Sequence, residues 1–134
     1  MSFISKFRKN ERGAAAIEFA LAIPLIIMMF YGIAQYGIIL LANAGIRHGI
    51  DEGARAATVY IGATPMTDAQ IRSTVTSSFY GANRETVPAP VIVRGTNNGV
   101  NYVDITVAYS TPIDLIFYRY GPISISESRR AYLP

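Results

Sequence analysis

The sequence predicts an α+β protein: a long N-terminal transmembrane helix extended beyond the membrane, a short second helix and a small antiparallel β-sheet. Three observations lead there. From Phe19 to Ile46 no side chain is charged, a run of 28 residues. That run exceeds the roughly 20 residues a helix needs to cross a hydrocarbon core of about 30 Å. The chain beyond it is ordinary in polarity and rich in Gly, Pro, Thr and Tyr. Within that portion Val103, Ile105, Val107 and Tyr109 alternate strictly, the two-residue period of a half-buried strand. At 134 residues the chain has room for one anchor and one small domain, not for two cores. The expected partition is a basic segment at 1–13, a transmembrane helix at 14–44 and an extracytoplasmic α+β domain at 45–134.

The first helix runs from Ala14 through the apolar segment, with Pro24 inside it. Membrane helices tolerate such a proline where neighbours satisfy the freed carbonyl. It is expected to continue past the membrane, because Asn43 to Tyr60 holds no proline and includes the helix-compatible run 51–57. Gly45, Gly49 and Gly53, with Ala57 next, recur every four residues and form one smooth stripe on a helix. Such a stripe allows close backbone approach, either to another subunit or to this chain's own domain. The stretch from Gly62 to Pro65 is expected to break the helix. Thr67 or Asp68 then caps a second helix with Ile71, Val75 and Phe79 as its apolar stripe. Residues 81–90 read as a loop. After Val91 to Val93, the cluster from Gly95 to Gly99 reads as the turn of a hairpin. Further strands are expected at Ile113 to Tyr118 and from Ile123 to about Tyr132, separated by Gly121-Pro122.

Charge is segregated. Lys6, Arg8, Lys9 and Arg12 stand against Glu11 in the first thirteen residues, so the whole formal charge of +3 resides there. From Ala14 onward Arg balances Asp and Glu, eight against eight. Basic residues beside a span keep their side cytoplasmic, which places the N-terminus inside and the domain outside. A nucleic-acid footprint needs a basic patch on the folded domain, and the balance leaves no excess to build one. With no cysteine, disulfides, thiolate metal sites and a cysteine nucleophile are excluded.

The most informative segment is Gly13-Ala14-Ala15-Ala16-Ile17-Glu18-Phe19. A glycine marks the polarity boundary, one acid interrupts the apolar run, and an aromatic follows it. A carboxylate near the end of a membrane helix is costly unless paired. Cleavage after Gly13 would supply a pair: Ala14 becomes a new ammonium terminus, which Glu18 of a neighbouring subunit can neutralise in a defined axial register. Alternatively Glu18 snorkels to the headgroups.

Glycine, four residues, then Glu18-Phe19 ahead of an apolar helix resembles the type IV prepilin processing site. Phe19 is the aromatic found at that place in the tight-adherence (Flp pilus) branch. Arg12-Gly13-Ala-Ala-Ala-Ile-Glu18-Phe-Ala-Leu-Ala-Ile-Pro24-Leu, followed by Tyr31-Gly32, resembles the start of the TadE/TadF-like minor pseudopilins. Gly53-Ala54-Arg55-Ala56-Ala57 and Val103-Asp-Ile-Thr-Val-Ala-Tyr109 are similar to that family as well. The resemblance implies a pilin-like fold, and a leader at 1–13 removed by a prepilin peptidase between Gly13 and Ala14. It also implies Glu18 and Phe19 as recognition and register residues. Partners would be other pilin-like subunits, pilus assembly proteins and membrane lipid, with no cofactor. The location would be a bacterial inner membrane, single-pass, with entry into the pilus open after processing.

Two other treatments of this terminus remain. Ala42-Asn43-Ala44 has the form of a signal-peptidase site, although signal peptides have apolar cores of only about 7–15 residues. An uncleaved signal anchor carrying an extracytoplasmic binding module is the second. An enzyme finds little support. His48 is the sole histidine, with Asp51 and Glu52 on its helix face. Ser73, Ser77 and Ser78 lack a base, and 95–99 lacks the lysine of a phosphate loop. Tyr102, Tyr109, Tyr118 and Tyr120 fit sheet packing or an interface.

Overall fold

The computed structural model describes residues 11–61, 64–82, 86–115 and 118–133. It is α+β as expected, with the elements in the expected order. Helix α1 spans Glu11–Ala57, β1 Tyr60–Ile61, β2 Thr64–Pro65 and α2 Asp68–Ser77. Strands β3 Val91–Asn97, β4 Val100–Leu115 and β5 Tyr118–Tyr132 follow. Residues 1–10 of the expected leader lie outside the described residues.

Helix α1 is continuous through Pro24 and holds 47 residues, about 70 Å at 1.5 Å per residue. It ends at Ala57, ahead of the expected break at 62–65. The Thr58 hydroxyl donates to the Arg55 carbonyl at 2.7 Å, and the Thr58 amide donates to the same carbonyl at 3.1 Å. These tight bonds close the last turn. Tyr60–Ile61 then pairs with Thr64–Pro65 in a short antiparallel ladder.

Helix α2 starts with a capping box. The Gln70 amide donates to Thr67 Oγ1 at 3.3 Å, and the Thr67 amide donates to Gln70 Oε1 at 2.9 Å. Thr67 is therefore the cap, and Asp68 lies in the first turn. Ile71 and Val75 are the buried stripe. The four-residue spacing predicts Phe79 as its third member, but the helix is closed by Ser78, whose amide donates to the Thr74 carbonyl at 3.1 Å. Phe79 lies just past the cap and is buried all the same.

The three long strands form one antiparallel sheet in the order β3-β4-β5. The turn is shorter than the expected cluster: Gly95, Thr96 and Asn97 remain in β3, and Asn98-Gly99 alone connect it to β4. Both have positive φ, 50° and 81°, as a two-residue type I′ turn requires. The break expected at Gly121-Pro122 does not occur. Both residues lie inside β5, where the register passes from Thr111↔Ile123 to Ile113↔Tyr120. Pro112 of β4 thus faces two residues, Gly121 and Pro122. This bulge gathers both prolines of the hairpin at one irregular point, where neither has an amide to offer the ladder.

The core lies where α1, α2 and the centre of the sheet meet. Ile46, Ile50, Ala54 and Ala57 of α1 pack with Ile71, Val75 and Phe79, and with Val103, Ile105 and Val107 of β4. Each fully buried aliphatic side chain contributes roughly 1.5–3 kcal/mol of transfer free energy. Only the upper part of α1 takes part.

Candidate functional site

From Gly13 to Ile38 no residue of α1 is buried. Large apolar side chains point outward on every side, among them Leu21 at 74% and Leu25 at 67% exposure. A helix apolar all round belongs in a core or a membrane, and the described parts of this protein leave it uncovered apart from Leu115 beside Gly32. The segment has the length and composition of a membrane anchor.

The four residues singled out at its base lie together at the start of α1. Gly13 and Ala14 are in its first turns, exposed, and Phe19 is 65% exposed. Glu18 is exposed and has no hydrogen bond or ion pair with any described residue. Its helical neighbours three and four residues away are Ala14, Ala15, Leu21 and Ala22, so its own helix face gives the carboxylate nothing to pair with. Ala14 is one turn below, about 6 Å along the axis on the same face. The arrangement can receive a cation at the level of Ala14 or from an adjacent helix.

The small-residue stripe occupies a different place. Gly45, Gly49 and Gly53 face α2 and the segment following it. A Cβ on Gly45 would stand 2.7 Å from the carbonyl carbon and 2.9 Å from the amide nitrogen of Tyr80. On Gly49 it would meet the Phe79 ring at 2.5 Å and the Val75 carbonyl oxygen at 2.7 Å. On Gly53 it would collide with the Val75 side chain. Ala57 is buried in the core. Of the two partners open to this stripe, the structure brings up the chain's own domain.

Charged residues fasten the sheet to the helix. Arg47 donates to Glu127 Oε1 at 2.8 Å, and Arg129 donates to Asp51 Oδ1 at 2.7 Å. Arg94 ties β3 to α2 through Asp68 at 2.7 Å and the Met66 carbonyl at 2.7 Å. Arg130 makes two bonds of 2.7 Å to Asp104 and lies 3.9 Å over the Tyr102 ring. The Arg130 hydrogen bond holds the Asp104 carboxyl below its ordinary range; partial burial opposes this and the guanidinium charge adds to it. The sequence presents Asp51 beside His48 and Asp68 as a possible helix cap, and none of these pairings. The pairs Arg47–Glu127 and Asp51–Arg129 span 80 and 78 positions, and such separations leave no local pattern.

His48 packs against Tyr80 in a tilted arrangement, with ring centroids 5.6 Å apart. Asp51 is engaged by Arg129 and Glu52 by Arg55 at 3.1 Å. Among the described residues no group of three or more His, Asp or Glu could hold a metal ion. The Ser77 hydroxyl donates to the Thr74 carbonyl at 3.0 Å. Tyr102 packs against Tyr132 at 6.4 Å and covers Gly95 across the ladder.

The family model described as TadE-like protein matches residues 13–55. The match begins at Gly13 and takes in Glu18, Phe19 and the first three positions of the glycine stripe, so the TadE-like resemblance is found along α1. No curated protein and no solved structure matches the chain.

Proposed function

We propose that this protein is a minor pilin-like (pseudopilin) subunit acting in assembly of a Tad/Flp-type pilus, processed by a prepilin peptidase after Gly13. The TadE-like match along the N-terminal helix supports this reading, and the role proposed is structural rather than catalytic. The observation that carries the reading is Glu18: one carboxylate on a bare apolar helix, unpaired among the described residues and one turn above Ala14. A new ammonium at Ala14 of an adjacent subunit neutralises it and fixes the stagger between helices. The bare half of α1 then serves twice, first against lipid and afterwards against other pilin-like subunits.

In this reading residues 1–13 are a cytoplasmic leader, 14–44 the transmembrane segment and 45–134 the extracytoplasmic domain. The positive cluster ahead of Gly13 sets that orientation in the bacterial inner membrane. The peptidase reads Gly13 and Phe19, and pilus assembly proteins receive the processed subunit.

Intact mass and N-terminal sequencing of the protein extracted from host membranes test this directly. A chain beginning at Ala14 is expected. Gly13→Leu is expected to accumulate uncut, because a bulky side chain at that position obstructs the peptidase. A start at Gly45 would mean a released soluble domain. An uncut wild-type chain, in a host with active prepilin peptidase, would leave a signal-anchored binding module.

A further inference from the structure

The β4–β5 hairpin reaches far down α1. Near the core its edge is pinned by the Asp51–Arg129 and Arg47–Glu127 pairs. At its other end Leu115 approaches Gly32, its Cδ2 standing 3.6 Å from where a Gly32 Cβ would be. Gly32, Ile39 and Ile46 are seven residues apart, a spacing that drifts only about 20° per step around a helix. The hairpin therefore follows one face of α1 out of the domain and down to the apolar segment. Ile39 and Ala42 are already buried.

The level at which it stops has a physical meaning. Within the segment 14–44 the first twenty residues, at 1.5 Å each, traverse about 30 Å of hydrocarbon and end near Ile33, which leaves the remainder for the headgroup layer. Polar atoms return to the helix at that height: Gln35 Nε2 donates to the Tyr31 hydroxyl at 3.1 Å, and Tyr36 follows. Tyrosine at a lipid–water boundary sets its ring among the headgroups with the hydroxyl toward water. The hairpin brings more of the same chemistry to the same height. Its last cross-strand pairs are Ile113↔Tyr120, Asp114↔Arg119 and Leu115↔Tyr118. Tyr118 is 66% and Tyr120 59% exposed. Asp114 and Arg119 hydrogen-bond each other on the opposite face from these apolar pairs, so this pair brings no net charge. The bulge of Pro112 against Gly121-Pro122 decides this sidedness, since slipping β5 by one residue is what places Tyr118 and Tyr120 on the Leu115 side.

We infer that Leu115, Tyr118 and Tyr120, at this end of the hairpin, rest in the headgroup region of the membrane that α1 spans. The bilayer is then gripped by two elements, and the second fixes the tilt and rotation of the domain over the surface. This rests on the anchor reading of α1 given above. The occupant is lipid and not a second subunit, because Tyr118 and Tyr120 come in beside the stretch of α1 that leaves the hydrocarbon, where exposed Tyr31 and Tyr36 present the same interfacial chemistry. A protein-binding face is not required to keep that height.

The protein contains no tryptophan, so Tyr118→Trp installs a single fluorophore. The full chain carrying it is placed at one copy per nanodisc, with acyl chains brominated near the headgroup end in one set and near the bilayer centre in another. Leu25→Trp, in the middle of the span, and Val93→Trp, on β3, serve as references. Tyr118→Trp is expected to lose emission to the lipid brominated near the headgroup end and to resist aqueous acrylamide, with Val93→Trp behaving oppositely. If Tyr118→Trp follows Val93→Trp while Leu25→Trp is quenched by lipid, the inference is overturned and the anchor stands. If Leu25→Trp escapes lipid quenching, the anchor reading itself falls and takes the inference with it. Protection from both quenchers would mean that protein covers the tip, which also overturns it. Tyr120→Trp repeats the measurement should Tyr118→Trp fold poorly.

Discussion

The two halves of α1 carry the same kinds of aliphatic side chain, and these meet opposite surroundings. Ile17, Leu21, Leu25 and Phe30 in the lower half are exposed, whereas Ile39, Ile46 and Ile50 in the upper half are buried. These aliphatic side chains are alike in hydrophobicity, and what differs is the residues that stand beside them. The upper half carries glycines at four-residue spacing that admit α2 and the Tyr80 backbone, and flanking charges that reach across to β5. From Ala14 to Phe30 the lower half has one acid, Glu18, and no glycine to admit a neighbour. Apolar character states that a surface will be removed from water. Small residues and charges in register determine whether the cover is the chain itself.

The comparison can be broken by mutation. Ile46→Ala removes a side chain with 0% exposure, and a cost of about 2–5 kcal/mol is expected. Leu25→Ala, which deletes as many carbon atoms from the bare half, is expected to leave the domain's thermal transition unmoved. Melting of the full chain in micelles, followed by tyrosine near-ultraviolet circular dichroism, reads both. Equal shifts would mean that the two halves are not energetically distinct.

A smaller effect is expected from Asp104→Asn, whose partner Arg130 is largely solvated, and surface pairs of this kind contribute little. Its pH dependence has a definite sign. Because Arg130 holds the folded-state carboxyl below its ordinary value, the pair's stabilisation is full above the unfolded value of about 3.9. It is lost as pH falls through the folded value. Wild type and Asp104→Asn should therefore differ near neutrality and converge in acid. A gap that stays constant on acidification would show that the carboxylate charge is not what Arg130 uses. The smallest effect on stability belongs to Glu18→Ala, for which no shift is expected, since nothing in the described residues contacts that carboxylate. Its effect should fall on co-purification with other pilin-like subunits, which should drop. Unchanged co-purification would favour a carboxylate that merely snorkels.

Much of this architecture was legible from local chemistry. The apolar run, the Thr67 cap and the alternation through Val103 to Tyr109 each depend on residues a few positions apart. The errors arose where distant strands overruled local signals. Gly121-Pro122 reads as a break, but pairing with β4 on both sides holds it in the ladder as a bulge opposite Pro112. Gly95 reads as turn, yet Tyr102 opposite covers its bare backbone and keeps it in β3. At the proposed site the landmarks Gly13, Glu18 and Phe19 were readable because they interrupt a uniform background. The glycine stripe was visible while its occupant was not, because facing residues Val75, Phe79 and Tyr80 come from a later helix and its exit. The clamp of Arg47 and Asp51 on β5 was invisible for the same reason.

Pro24 divides α1 mechanically. It offers no amide hydrogen, so the Ala20 carbonyl lacks its helical donor and the rod has one bond fewer at that point. A beam yields first where it is least braced. Above Pro24 the helix stiffens as the hairpin and α2 splint it from Gly32 onward. Bending under load is thus expected to concentrate in the turn from Ala20 to Pro24, below the first splint and above Glu18. Traction on the globular head would be taken up there as flexure, sparing the stagger proposed for the foot.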